Sequence, residues 1–268
     1  KEGGEKLLLA QVPDERAEAA WVVDQASRLR AEGRGLKDMA VFYRTNAQSR
    51  TFEEACMRSQ VPYQVVGGIR FYQRKEIKDL LAHLKLLVNP RDVVSLGRVA
   101  DCRPTGVGDK TLAALADQSE AEGVPVFDLL RRKDFPQTFR GRSSAKLKRF
   151  AEWCRKLGAV EHKPVSACVR SILDLSGLVE HIGSRADRDP AAEDRIENLD
   201  AFLNRAAEFE SDRPDADLGA FLEDVALVAD VDTWDPDADQ LTLMTLHAAK
   251  GLEFPDRKST RLNSSHYS

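Results

Sequence analysis

The sequence has 268 residues, enough for two ordinary domains that each bury a core. Charged residues make up 31%, no apolar run approaches the roughly 18 residues that cross a bilayer, and the N-terminal stretch lacks the apolar core of a signal peptide, which excludes a helical membrane protein and leads us to expect a soluble, cytoplasmic one. The net charge of −4 hides an asymmetry, since residues 91–170 hold 16 Lys/Arg against 10 Asp/Glu and residues 171–240 hold 5 against 20: either the footprint of an anionic partner met by one face, or an unevenly charged solvated surface.

The apolar runs KLLLAQ (6–11) and MAVFY (39–43) have strand length. They flank PDERAEAAWVVDQASRLRAEG, which opens on a Pro-Asp cap and spaces Ala17, Ala20, Val23 and Ala26 as a helix does. NAQSRTFEEACMRSQ then reads as helix and YQVV (63–66) as strand. Such alternation predicts an α/β layer with a parallel sheet.

Past Gly67-Gly68, every segment up to about Val231 reads as helix. Ile77, Leu80, Leu81, Leu84, Leu87 and Val88 form an apolar stripe that Asn89-Pro90 stops, and later helices are expected over 145–157, 166–175, 195–210 and 218–228. The acidic DVDTWDPDADQ (230–240) gives way to LTLMTL (241–246), which is strand-like again. The predicted architecture is an α/β domain (1–66 and 237–255) interrupted by an all-α insertion (67–236). Gly67 and Gly68 at the first crossing permit backbone rotation, so they fit a hinge as well as a static turn. The closing stretch, 256–268, is expected to be disordered, and it resembles the translated adapter sequence that contaminates some assembled genes, which leaves an artefactual origin open.

Cys56, Cys102, Cys154 and Cys168 have no C-x-x-C spacing and read as reduced, packed thiols; no residues suggest a metal site. His83 and the scattered Trp21, Trp153 and Trp234 are assigned packing roles, and the acidic run 208–239 a solvated face.

PTGVGDKT (104–111) sets glycines beside a lysine and a threonine. It fails as a nucleotide P-loop, because Asp109 separates Gly108 from Lys110, the four-residue spacer is missing, and helix rather than strand precedes it. A helix, a Gly-x-Gly turn and a second helix from DKTLAALAD form instead the pattern of a helix-hairpin-helix, which lets a phosphodiester approach the backbone without reading sequence. The alternative is a turn that only punctuates two helices.

Three stretches, AVFYRTNAQSR (40–50), YQVVGGIRFYQRKEIKDLLAHLKLLVNPRD (63–92) and LTLMTLHAAKGLEFP (241–255), together resemble the UvrD/PcrA/Rep group of superfamily-one DNA helicases, with PTGVGDKT where that group carries a glycine turn. The resemblance implies a motor of two RecA-like P-loop NTPase domains that clamp ATP and Mg2+ and move 3′ to 5′ along single-stranded DNA. This chain then corresponds to part of the second RecA-like domain, interrupted by an all-α inserted arm, with the first motor domain as its missing partner. By the same resemblance Arg44, Asn46, His247 and Lys250 match single-strand contacts, and Glu253 matches the acid that bonds the ATP ribose. Thr105, Gly106, Gly108, Lys110 and Thr111 match the arm's grip on duplex DNA, and Gly67 and Gly68 a hinge. Read without it, Arg44, Asn46, His247, Lys250 and Glu253 are ordinary loop and cap residues.

No G-x-x-x-x-G-K-[ST] occurs, and the chain stops before the motif whose arginine reaches the γ-phosphate. The expectation is an ATP-dependent helicase as the intact parent and a fragment that alone neither hydrolyses ATP nor unwinds. Two alternatives stand: a non-enzymatic DNA-junction binding module, and the motor subunit of a RecB/AddA-type helicase-nuclease. An arm of only about 170 residues favours the UvrD type over the second.

Overall fold

MAVFY, apolar at every position, forms β1 (Met39–Tyr43), and all five residues are buried. It lies inside a parallel sheet with β2 (Tyr63–Val66), β3 (Leu241–Thr245) and β4 (Asp256–Ser259), in the order β2-β3-β1-β4. The computed structural model describes residues 8–66, 69–102, 107–133, 135, 143–184, 186–230, 239–246, 248–249 and 256–259. They fall in two units, 1–71 with 231–268, and 72–230.

In the first unit, α1 (Glu15–Ala31) and α2 (Ser49–Arg58) cover one sheet face. Met39, Val41 and Tyr43 of β1 and Leu241 and Leu243 of β3 meet Val22, Val23, Phe52 and Cys56 there. The alternate positions Ala40, Phe42 and Met244 are buried on the other face. A parallel strand is buried on both faces, which is why MAVFY is continuously apolar rather than alternating. Asp14 caps α1, accepting the Ala17 N–H at 2.7 Å, and Glu15 and Glu18 at the start with Arg28 and Arg30 at the end complement the helix dipole.

Buried at the centre of this unit is the Glu53 carboxylate, 2% exposed. The Ser49 hydroxyl donates to it at 2.6 Å, the Phe71 N–H at 3.2 and 3.3 Å to its two oxygens, and the Tyr63 hydroxyl at 3.4 Å. Burial, reinforced by the Glu53 charge, pushes the Cys56 thiol and the Tyr63 phenol well up, so both stay protonated. The bond to Phe71 carries the chain past position 66 before it leaves this unit, whereas the crossing expected at Gly67-Gly68 lies outside the described residues.

Two expectations are corrected. Residues 8–11 of the expected strand 6–11 carry no strand, and Leu8 and Leu9 are 70% and 92% exposed. Both sides of β1 are already taken, by β3 and by β4. Residues 256–259, expected in a disordered tail, form β4, with Met39 opposite Asp256 and Phe42 opposite Ser259. Parallel pairing uses main-chain groups, which polar sequence offers as well as apolar. Residues 260–268 lie outside the described residues.

The second unit is helical among its described residues. α3 (Lys75–Val88) runs through its core with Ile77, Leu80 and Leu84 fully buried, and α4 (Val93–Cys102), α8 (Val165–Ser176), α10 (Ala192–Asp212) and α11 (Leu218–Asp230) pack on it. α5 (Asp109–Glu122), α6 (Val126–Arg131) and α7 (Ser143–Leu157) follow α4, and α9 (Leu178–Gly183) follows α8. Gly123 and Gly177 end α5 and α8 at φ +65°, a left-handed conformation that suits glycine. Arg74 donates to Asn198 at 2.6 Å and Asn198 to Glu76 at 2.6 Å, which closes a buried polar chain between α3 and α10. His83 is fully buried, with Nδ1 2.7 Å from the Asp79 carbonyl and its ring edge-on to Trp153. Burial pushes the Cys168 thiol up to about 11, and burial with Asp79 alongside pushes Cys102 up to about 12. Among the described residues no helix is long and apolar enough to cross a membrane.

Glu53→Ala should lower the stability of the sheet unit by about 2–3 kcal/mol, because several buried donors lose their shared acceptor. Urea dependence of hydrogen exchange at β1 and β3 measures this. A loss below about 0.5 kcal/mol would show that the carboxylate organises nothing.

Candidate nucleic-acid interface

Ligands of parallel α/β sheets collect at the carboxyl ends of the strands, where loops rather than ladder bonds use the backbone. Here β1 and β3 end in register, Tyr43 opposite Thr245, and the Leu246 N–H donates to the Tyr43 carbonyl at 2.8 Å. Arg44, next after β1, is exposed, and among the described residues its side chain has no ion-pair partner. Its main chain is held: Gln48 Oε1 accepts the N–H groups of Arg44 at 2.9 Å and of Thr45 at 3.1 Å. The Thr45 hydroxyl in turn accepts the Gln48 N–H, a reciprocal capping box at the start of the turn that leads into α2. Asn46, in that turn, is half-buried.

Arg50, six residues on, is handled in the opposite way. Only 2% exposed, it pairs with Glu54 at 3.2 Å and Glu15 at 3.5 Å. One arginine is committed to the fold and the other is left to solvent.

After β3 the chain turns at once. The Thr245 hydroxyl accepts the Ala248 N–H at 3.1 Å and its carbonyl accepts the Ala249 N–H at 3.0 Å, which caps a turn at the same sheet edge as Arg44. His247, Lys250 and Glu253 lie outside the described residues, whereas Leu246, Ala248 and Ala249 lie at this edge.

The second candidate surface belongs to the helical unit. Val107 is buried, and Gly108 begins α5, its carbonyl accepting the Thr111 and Leu112 N–H groups at 2.8 and 3.1 Å. Gly108 has φ −104°, a conformation open to any residue, and a Cβ built there meets nothing within 4 Å. The space beyond it is therefore what the glycine leaves free. Lys110 is exposed and without an ion-pair partner among the described residues, and Thr111 is half-exposed. Asp109, also exposed, suits the helix dipole but opposes an anion beside Lys110. Thr105, Gly106, Gly67 and Gly68 lie outside the described residues.

Sequence reading missed Gln48, although the spacing Thr45-x-x-Gln48 is a capping-box signal that could have found it.

The family model described as the UvrD-like helicase C-terminal domain matches residues 1–256. The sequence is similar to proteins named ATP-dependent DNA helicase PcrA: 37% identical over 260 residues to that of Bacillus subtilis, and 36% over 255 residues to that of Staphylococcus aureus strain Mu50. Each match covers 94% of this chain but only 35% and 34% of the relative, so the chain spans about a third of the length of these relatives.

Gln48→Ala should free the turn without changing charge. The amides of Arg44 and Thr45 should exchange with solvent about tenfold faster or more while β1 keeps its protection. Unchanged exchange would show that Gln48 does not hold Arg44.

Proposed function

Because the chain belongs to the family of UvrD-like helicase C-terminal domains, we propose that it is the DNA-gripping part of an ATP-dependent helicase that moves 3′ to 5′ on single-stranded DNA and unwinds duplex in repair or replication in the cytoplasm. Residues 1–66 and 237–255 are the second RecA-like motor domain, 67–236 its inserted arm, and Gly67-Gly68 the hinge between them.

The observation that carries this reading is the edge where β1 and β3 end together. A guanidinium without an ion-pair partner among the described residues stands there on a main chain pinned by Gln48, next to the capped turn after β3. A guanidinium forks onto phosphate and an amide bonds backbone or base edge, so Arg44 and Asn46 suit a single strand, to which His247 and Lys250 are also assigned. ATP and Mg2+ belong to the parent enzyme. Glu253 is assigned to the ribose, while the phosphate-cradling loop and the first motor domain are supplied by the rest of the protein. This chain alone then neither hydrolyses ATP nor unwinds, because cradling, magnesium and charge stabilisation must act together.

The turn at Thr105, Gly106, Gly108, Lys110 and Thr111 is assigned to duplex DNA. An open space over Gly108, a cation at Lys110 and a hydroxyl at Thr111 suit a phosphodiester taken without regard to sequence.

Arg44→Ala should weaken binding of a single-stranded oligonucleotide and leave a blunt duplex unaffected; equal losses on both would sink the single-strand assignment. Lys110→Ala should weaken duplex binding evenly across sequences and reduce the slope of log affinity against log salt by about one. Fluorescence anisotropy across a salt series reads both, and an unchanged slope would remove Lys110 from the duplex contact.

A further inference from the structure

We infer that the outward face of α7 is a second duplex-DNA contact of the helical unit, one that takes the phosphate backbone. The inference rests on the duplex grip proposed at Gly108, Lys110 and Thr111, and widens it.

The helix has two characters. Leu147, Phe150, Ala151, Cys154 and Leu157 are buried, whereas Lys146, Lys148, Arg149 and Lys156 are exposed. Among the described residues none of these four cations has an ion-pair partner. Other arginines of the same unit are neutralised: Arg98 by Asp79, Arg132 by Glu122, Arg195 by Asp189 and Arg205 by Asp224. Lys75, Lys78, Lys85, Arg91, Lys133 and Arg170 of the unit likewise have no ion-pair partner among the described residues, so what sets α7 apart is that four exposed cations of this kind share one helix. Glu152 is the one acid on α7, and it is exposed.

Arg149 and Lys156, seven residues apart, share one face of α7 with Lys146 and Lys148 on its two flanks, and from Lys146 to Lys156 the cations span about 15 Å along the helix. Duplex DNA carries a charge every ~1.7 Å of its axis, so a row of that length can meet several phosphates. Lysines on long stems suit this contact, which needs charge rather than exact geometry. The row is also firmly mounted. Arg131 of α6 donates to the Gly158 carbonyl at 3.0 Å, Arg155 of α7 donates to the Arg132 carbonyl at 3.2 Å, and Arg132 pairs with Glu122 of α5. Those links run from α7 to the helix that starts at Gly108.

The composition of the face selects the occupant. Protein interfaces are enriched in aromatic residues and depleted in lysine, and single strands are held by stacking on aromatic rings. No large apolar side chain of α7 is exposed. A charged row without a stacking platform fits a duplex backbone.

The test is fluorescence anisotropy of a short blunt duplex, titrated with the whole 268-residue chain over a salt series. The variant K146Q/K148Q/R149Q/K156Q should bind more weakly, with the salt slope reduced by about three. Glu152→Gln, a substitution at an exposed site that does not threaten folding, should tighten binding several-fold. The inference is overturned by an unchanged slope in the fourfold variant together with no gain in Glu152→Gln. It is also overturned if the fourfold variant loses affinity equally for poly-glutamate or for a single strand, which would make α7 a general polyanion surface. If Lys110→Ala lowers the slope and the α7 variants do nothing, this inference alone falls. If the unmodified chain fails to bind duplex, the proposed duplex grip falls with it.

Discussion

A carboxylate with almost no access to water governs the sheet unit. Glu53 lies beside a thiol and a phenol that burial and its proximity keep protonated, and with so little access to water its oxygens must be satisfied by the protein. Its donors include a hydroxyl one turn earlier on α2, the phenol of β2, and the N–H of Phe71, where the chain leaves for the helical unit. Replacing water by three separate elements makes the charge a register mark, because a slip of β2 or of the segment after it would strand the carboxylate. The position of the crossing is thereby tied to the position of β2, and through the β2–β3 ladder to the strand that precedes the second capped turn.

The same economy explains why Arg44 has no ion-pair partner among the described residues. A side chain with a polar function at a strand end needs a main chain that does not move, and hydrogen bonds from its own guanidinium would consume the function. Gln48 resolves this by accepting the backbone N–H groups of Arg44 and Thr45, leaving the charged group to solvent. Arg50 shows the opposite use of the same residue type, with its charge spent on Glu54 and Glu15. Residue type alone does not separate the two; the carboxylates within reach do.

What could be read in the sequence follows from locality. β1 was legible because burial on both faces leaves an unbroken apolar run, β2 and β3 because short β-branched and apolar runs follow turn residues, and α1, α3, α7 and α10 because one buried face repeats at helical spacing. The run 6–11 carries the same signal without the outcome over 8–11, since a strand requires a neighbour with a free edge and periodicity says nothing of neighbours. β4 shows the converse: DRKS has no apolar signal, yet its main chain pairs with β1. In the candidate site, Arg44, Gly108 and Lys110 were found through motifs that lie within a few residues. Glu53 escaped notice because its partner at Phe71 is 18 residues away and an acid in a helix ordinarily reads as a solvated face.

The glycine turn is where structure alters the physical reason without altering the assignment. A glycine in a tight turn is usually explained by a backbone that other residues cannot adopt, and Gly108 does not need that explanation, because its φ is ordinary. What it contributes is absence: a side chain would project into open space at the start of α5. Clearance is useful only to something that approaches the backbone, and a phosphodiester approaching there would meet the first N–H groups of a helix with Lys110 beside them. A contact built from clearance, main-chain donors and one cation has no means of distinguishing bases. Such a contact depends on charge rather than shape, and residues 91–170 hold 16 Lys/Arg against 10 Asp/Glu whereas residues 171–240 hold 5 against 20.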